Sequence, residues 1–227
     1  MTTTYTASGS APVAAAYGGL GDAIGGVATI ILAIVALTGV YPQTISSIAV
    51  IVFGATLLIQ GGTVLSEYEA AMFPVGTASA SPQQFGVGGL STLFLAGVAG
   101  IVLGILALLG IAAQTLMAIS VVAFGFALLL SSNSLRHLSL LRGYSSQSAA
   151  PRTGAELLSG EMASRYAGTQ MLAGLAAIVL GIVALVVNQN ILVPAALIVL
   201  GAAVALTGSA LAGLVIGFMG WQRAVVR

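Results

Sequence analysis

Residues 96–108 read AGVAGIVLGILAL, and the run recurs along the chain. Residues 26–37 are GVATIILAIVAL, residues 97–108 are GVAGIVLGILAL, and residues 174–185 are GLAAIVLGIVAL. Each copy is followed, after a short polar break, by a second apolar run with a glycine at the matching place. These are Gly54 in VIVFGATLL, Gly125 in VVAFGFALL and Gly201 in LIVLGAAVA. The repeating unit is therefore a pair of apolar segments, present three times.

Composition assigns the class. The chain of 227 residues is 59% hydrophobic and 5% charged, against roughly 25% charged residues in a soluble domain. So few charges cannot cover a water-facing surface. Residues 93–113 hold no charged or strongly polar side chain, and about 20 helical residues cross roughly 30 Å of hydrocarbon. The sequence reads as an all-α polytopic membrane protein, with six transmembrane helices arranged as three tandem hairpins and a pseudo-threefold repeat. Its partner is the lipid bilayer. A net charge of +1 gives no basic surface for nucleic acid, and the absence of cysteine excludes disulfides, thiolate metal sites and a cysteine nucleophile.

Along the chain, residues 1–21 read as a flexible cytoplasmic leader without the pattern of a signal peptide. Repeat 1 covers 22–65: Asp22 stands as the cap of a helix running to Val40, and a second helix follows Tyr41-Pro42-Gln43-Thr44 from Ile45 to Leu65. A connector, 66–91, carries Glu67, Glu69 and two prolines. Repeat 2, 92–132, places helices over 92–111 and 115–132, the latter with room to extend to Leu141. The second connector, 133–169, is the most polar part. Within it Thr153 and Glu156 have capping-box spacing, and Leu158, Met162 and Tyr166 fall on one face beside the Glu161–Arg165 pair. This predicts a short amphipathic helix on the membrane surface. Repeat 3, 170–219, supplies helices over 170–187 and 191–219, and 220–227 is a cytoplasmic tail. The residues expected at the interface are Arg136, His137, Arg142, Arg165, Trp221 and Arg223.

Every charge falls in the tails or the two long connectors, and the three short breaks carry none. With an even number of spans these segments share one face. Six arginines on that face against none on the other point it toward the cytoplasm by the positive-inside rule, with both termini inside. Because each repeat contains two spans, successive repeats enter in the same direction, and their symmetry axis runs along the membrane normal.

The odd helices carry a small residue every four positions: Gly25, Thr29, Ala33; Ala96, Gly100, Gly104; Ala173, Ala177, Gly181. Residues at i, i+4 and i+8 share a face, so each strip admits a neighbouring backbone closely. Helix six adds Gly201, Gly213 and Gly217, and Gly54 and Gly125 complete the expected packing positions.

The arrangement IVLGILAL, short break, VVAFGFALLL, repeated over six spans, resembles the HdeD family, bacterial acid-resistance membrane proteins built from short repeats. The resemblance lies in repeat pattern and hydropathy over about residues 22–219. It implies a membrane-stress protein of the bacterial inner membrane and brings no catalytic residue with it.

Chemistry-bearing groups are sparse. His137 is the only histidine; beside Arg136 it reads as a headgroup contact, with proton sensing as the sharper alternative. Glu67 and Glu69 read as a solvated pair. They sit roughly 200° apart on a helix, which weakens joint metal ligation, so no metal or cofactor site is expected. Thr29, Thr38, Thr56, Gln60, Thr63, Ser120, Thr207 and Ser209 lie within spans, where such groups bond their own backbone or a neighbouring helix. No ionisable residue is expected deep in a span, contrary to what ion-coupled transporters need, and no catalytic motif is present. Three classes follow. The first is a non-catalytic assembly or structural protein that gathers copies of itself or another membrane complex. The second is a channel or carrier for a small neutral solute, its path enclosed by the three odd helices. The third, a membrane enzyme, has the least support.

Overall fold

A computed structural model describes the backbone of residues 11–72, 88–145, 154–187 and 189–225, and the side-chain surroundings of 19–62, 92–132, 168–187 and 189–209. The described chain is six α-helices: α1 (Ala11–Leu37), α2 (Pro42–Met72), α3 (Gly88–Leu108), α4 (Ala113–Ser145), α5 (Gly154–Val187) and α6 (Leu192–Val225). Five contain spans long and apolar enough to cross a membrane: Gly19–Leu37, Pro42–Gly62, Ala113–Ser132, Gly168–Val187 and Leu192–Ser209. In α3 the matching stretch is the shorter Thr92–Leu108. The fold is that of a polytopic all-α membrane protein.

The breaks inside the first two repeats are the same turn. Helix α1 ends where Gly39 takes φ +85° and Tyr41 φ 44°; α3 ends where Gly110 takes φ +81° and Ala112 φ 42°. Glycine enters this left-handed region without a Cβ penalty and lets the turn double back on the last carbonyls. Gly39 N–H donates to Ala36 O, Gly110 N–H to Ala107 O and Ile111 N–H to Leu106 O. Pro42 then opens α2, at a first-turn position where its missing N–H leaves no intrahelical bond unmade.

The helices form a closed ring. Each packs on its neighbours in sequence, and α6 returns to pack on α1; in addition α2, α4 and α6 touch one another. The axis therefore belongs to the even helices. This corrects the expectation that odd helices would surround a central path. The reason lies in side-chain volume: the even helices bury Phe53, Phe124 and Leu200 at matching places, whereas the apolar residues buried on the odd helices are, Leu93 apart, alanines.

Several boundaries also differ. Helix α1 begins at Ala11, so residues 11–21 of the expected leader are helical and Asp22 lies inside the helix, not at its cap. The alanine-rich run APVAAAY favours helix. Helix α5 is continuous from Gly154 to Val187, where a separate surface helix was expected over 153–166; no proline interrupts 154–187. Helix α2 runs on to Met72, α4 to Ser145 and α6 to Val225, so helical extensions project from the ends that carry the long connectors.

Candidate functional site

The features that recur three times are the seams between repeats and the packed axis. At each seam one glycine of an even helix meets one glycine of the following odd helix. A Cβ on Gly54 would stand 2.8 Å from Gly97 O, one on Gly125 2.6 Å from Gly174 O, and one on Gly201 2.8 Å from Gly26 O. The reciprocal positions are as tight, with a Cβ on Gly97 or Gly174 falling 2.7 Å from the facing carbonyl. One isoleucine lies beside each even-helix glycine: Ile101 on Gly54, Ile178 on Gly125 and Ile30 on Gly201. The three seams are thus one contact used three times, and the third, Gly201 with Gly26, closes the ring.

The axis is filled. On α2 the buried positions Ser46, Val50, Phe53, Leu57 and Gln60 follow a four-three spacing. The same spacing gives Met117, Val121, Phe124, Leu128 and Ser131 on α4, and Val193, Leu197, Leu200 and Val204 on α6. Alternating steps of four and three keep one stripe facing a bundle axis, as in a coiled coil. The Phe53 and Phe124 rings meet with centroids 4.9 Å apart and planes inclined at 60°, a tilted arrangement that suits the aromatic quadrupole. Gly100 leaves the space that the Phe124 ring occupies.

The remaining packing positions take different partners. Gly25 makes room for Thr56 within its own repeat, while Gly104 lies against Ile51 and Ser47 O, and Gly181 against Val122 and Ala118 O, in the preceding repeat. Ala33 and Ala177 are fully buried. Gly213 and Gly217 lie on α6 outside the described side chains, as do Arg136, His137 and Arg142 on α4, Arg165 on α5, and Trp221 and Arg223 on α6. Glu67 and Glu69 also fall outside them.

The polar residues within the spans mostly turn back on their own helices. Thr29 donates to Gly25 O, Thr56 to Val52 O, Ser120 to Leu116 O and Thr207 to Ala203 O, at 2.7–2.9 Å. Thr38 and Ser209 donate to carbonyls three residues back. Between helices, Ser47 Oγ also approaches Met117 Sδ at 3.4 Å, and Gln114 Nε2 donates to Gln189 O at 3.0 Å, linking two breaks on one end of the bundle. Thr63 lies outside the described side chains.

Outward, the odd helices expose apolar side chains in one register: Ile24, Leu95 and Leu172, then Val27, Val98 and Leu175, then Ile31, Val102 and Val179. Ile24, Leu95 and Leu172 are 68%, 65% and 71% exposed. Such a surface is stable against hydrocarbon and unstable against water, at about 25 cal/mol per Å². The bundle's outer face is a lipid face. Among the described residues no three His, Cys, Asp or Glu side chains gather as metal ligands.

Two features escaped the sequence reading. Gly26, Gly97 and Gly174 meet the facing backbones at the three seams, although each opens its copy of the motif and so was marked by recurrence. Asp22, expected at a helix cap, instead lies within α1 near the end of the Gly19–Leu37 span and is 3% exposed. No protein-family model, curated protein or solved structure matches the chain.

Proposed function

We propose that this membrane protein is a non-catalytic scaffold, an HdeD-like assembly or stress-protection component, whose ring of three hairpins anchors helical extensions that gather copies of itself or another membrane complex. The observation that carries this reading is the filled axis. Phe53, Phe124 and Leu200 occupy the place where a solute path along the pseudo-threefold axis would run, and the hydroxyls of Thr29, Thr56, Ser120 and Thr207 bond carbonyls of their own helices. A rigid anchor needs no path and no acid–base pair. Apart from Asp22, the charges lie where such an anchor would use them, on α2, α4, α5 and α6 beyond the membrane-spanning stretches and in the segments outside the helices. The arginine bias favours the cytoplasmic side of a bacterial inner membrane for these extensions and both termini, and the repeat pattern favours a role in membrane, including acid, stress.

The test is extraction of the full chain from its native membrane in mild detergent, followed by the mass and composition of the particle. A large particle, homomeric or with foreign subunits that depend on residues 133–169, supports the scaffold. A lone chain, together with flux of neutral solutes into liposomes carrying it, overturns it.

A further inference from the structure

The residue four places before the first glycine of each repeat motif is Asp22, Leu93 or Gln170, and all three are buried. The socket is the same in two of the seams. Leu93 packs over Gly61 of α2, and Asp22 packs over Gly208 of α6, each glycine lying seven residues after the seam glycine of its helix. In the third copy Gln170 Nε2 donates to Thr207 Oγ1 at 3.4 Å. Leucine alone satisfies the packing requirement of this socket, so the carboxyl in the ring-closing seam is there for something other than volume.

That carboxyl is poorly provided for as an anion. Asp22 Oδ1 is buried with no hydrogen-bond partner. From α6 it meets Gly208, which brings no cation, and the α2 residues Ile59 and Thr56 lie against the neighbouring Gly21 and Gly25 and are uncharged. Among the described side chains the other ionisable group is Tyr41, at the opposite end of α1. Farther along the packed helices, Tyr17 lies five residues back on α1, Glu67 seven beyond Gln60 on α2, and Arg223 fifteen beyond Gly208 on α6. The last two are about 10 Å and about 22 Å along their helices. A bare carboxylate so placed carries a desolvation cost of several kcal/mol with no counter-charge.

We propose that Asp22 is a proton-binding site that latches the α6–α1 seam. Closed, the seam holds the carboxylic acid. When that end opens, the O–H bond breaks toward an entering water, the electron pair stays on the carboxyl, and hydronium leaves on the same face. Scarcity of protons on that face therefore loosens the ring at one seam of three, and abundance closes it. The sign follows from linkage: a proton held in the closed form and released in the open one favours closure at low pH and loses that preference as pH rises.

The experiment uses the full chain in lipid bilayers over a pH series, with two readouts. Infrared spectra report the C=O stretch of protonated carboxyl groups, and Asp22 is the only aspartate. Hydrogen–deuterium exchange, corrected for intrinsic rates, reports protection of the backbone around 19–23 and 205–208. The expected result is an acid band that vanishes in D22N and fades in the wild type as seam protection falls by up to about tenfold per pH unit, the slope of one released proton. D22N and D22L, the latter copying Leu93, should show pH-flat protection at that seam. An acid band that survives in D22N, its absence at all pH values where exposed carboxyls are ionised, or a wild-type band that titrates without any change in seam protection overturns the proposal. The wild-type titration decides the matter even if a variant does not fold.

Discussion

Replacing Gly97 by alanine adds one methyl group at the seam between the first two repeats. Its Cβ would stand 2.7 Å from Gly54 O, where ordinary contact begins at 3.4 Å, an overlap of about 0.7 Å. The atom it meets is a helix carbonyl, which has no rotamer to change. Relief requires α2 and α3 to separate, and that movement lifts Ile101 from Gly54 and Leu58 from Gly97. Overpacking of this kind costs about 1–3 kcal/mol. Opposing it, alanine is a better helix former than glycine by up to about 1 kcal/mol, so the informative quantity is a difference. Gly62 is helical and a Cβ there meets nothing within 4 Å, which makes Gly62→Ala the reference. Measured by reversible unfolding in mixed detergent micelles, Gly97→Ala should fall about 1–3 kcal/mol below Gly62→Ala, and Gly26→Ala and Gly174→Ala should behave alike because their contacts are copies. Seam variants within about 0.5 kcal/mol of the reference, the scatter of ordinary surface changes, would refute the close approach of the backbones.

Three further outcomes follow. Gly39→Ala and Gly110→Ala, at φ +85° and +81°, should each lose about 1–2 kcal/mol by the same unfolding assay, because a Cβ is costly in that region. Conversely Ala112→Gly, at φ 42°, should gain a few tenths of a kcal/mol or more by releasing the same strain, read as a higher unfolding midpoint. Phe124→Ala should cost about 3–5 kcal/mol by opening a cavity on the axis, whereas Phe124→Leu, which copies Leu200, should cost under about 1.5 kcal/mol.

Recurrence made much of this legible in the chain. Three copies of one apolar pair gave the number of hairpins, and Gly54, Gly125 and Gly201 were marked as packing positions by their matching places. The partners were not legible. An i, i+4 strip such as Ala96, Gly100, Gly104 says that something approaches closely, but not which helix. In the structure Gly100 receives Phe124 of its own repeat, while Gly104 receives Ile51 of the preceding one. Which helices hold the axis followed from the bulk of Phe53, Phe124 and Leu200, whose four-three spacing with Val50, Leu57 and their counterparts is readable only once those helices are brought together. Asp22 misled because an aspartate before an apolar run has the look of a cap, and the alanine-rich stretch before it is what carried the helix past it. The third break, around Asn188-Gln189-Asn190, has no glycine at the place of Gly39 and Gly110, so the turn shared by the first two repeats did not announce itself as a rule.

Closure of the ring by α6 on α1 within one chain is the account's central claim, and cysteine cross-linking tests it directly. The natural chain has no cysteine, so a pair introduced as Ile30→Cys and Gly201→Cys is free of background. Ile30 Cγ1 lies 3.0 Å from the Cβ position of residue 201, near the sulfur-to-Cβ separation of about 3 Å that a disulfide with its ~2 Å S–S bond imposes. Oxidation in native membranes should give an intramolecular cross-link, seen as a monomer of altered mobility that reduction restores. Cross-links that appear only between chains, or none at all while the matching pair Gly54→Cys with Ile101→Cys reacts, would contradict the closed three-repeat ring.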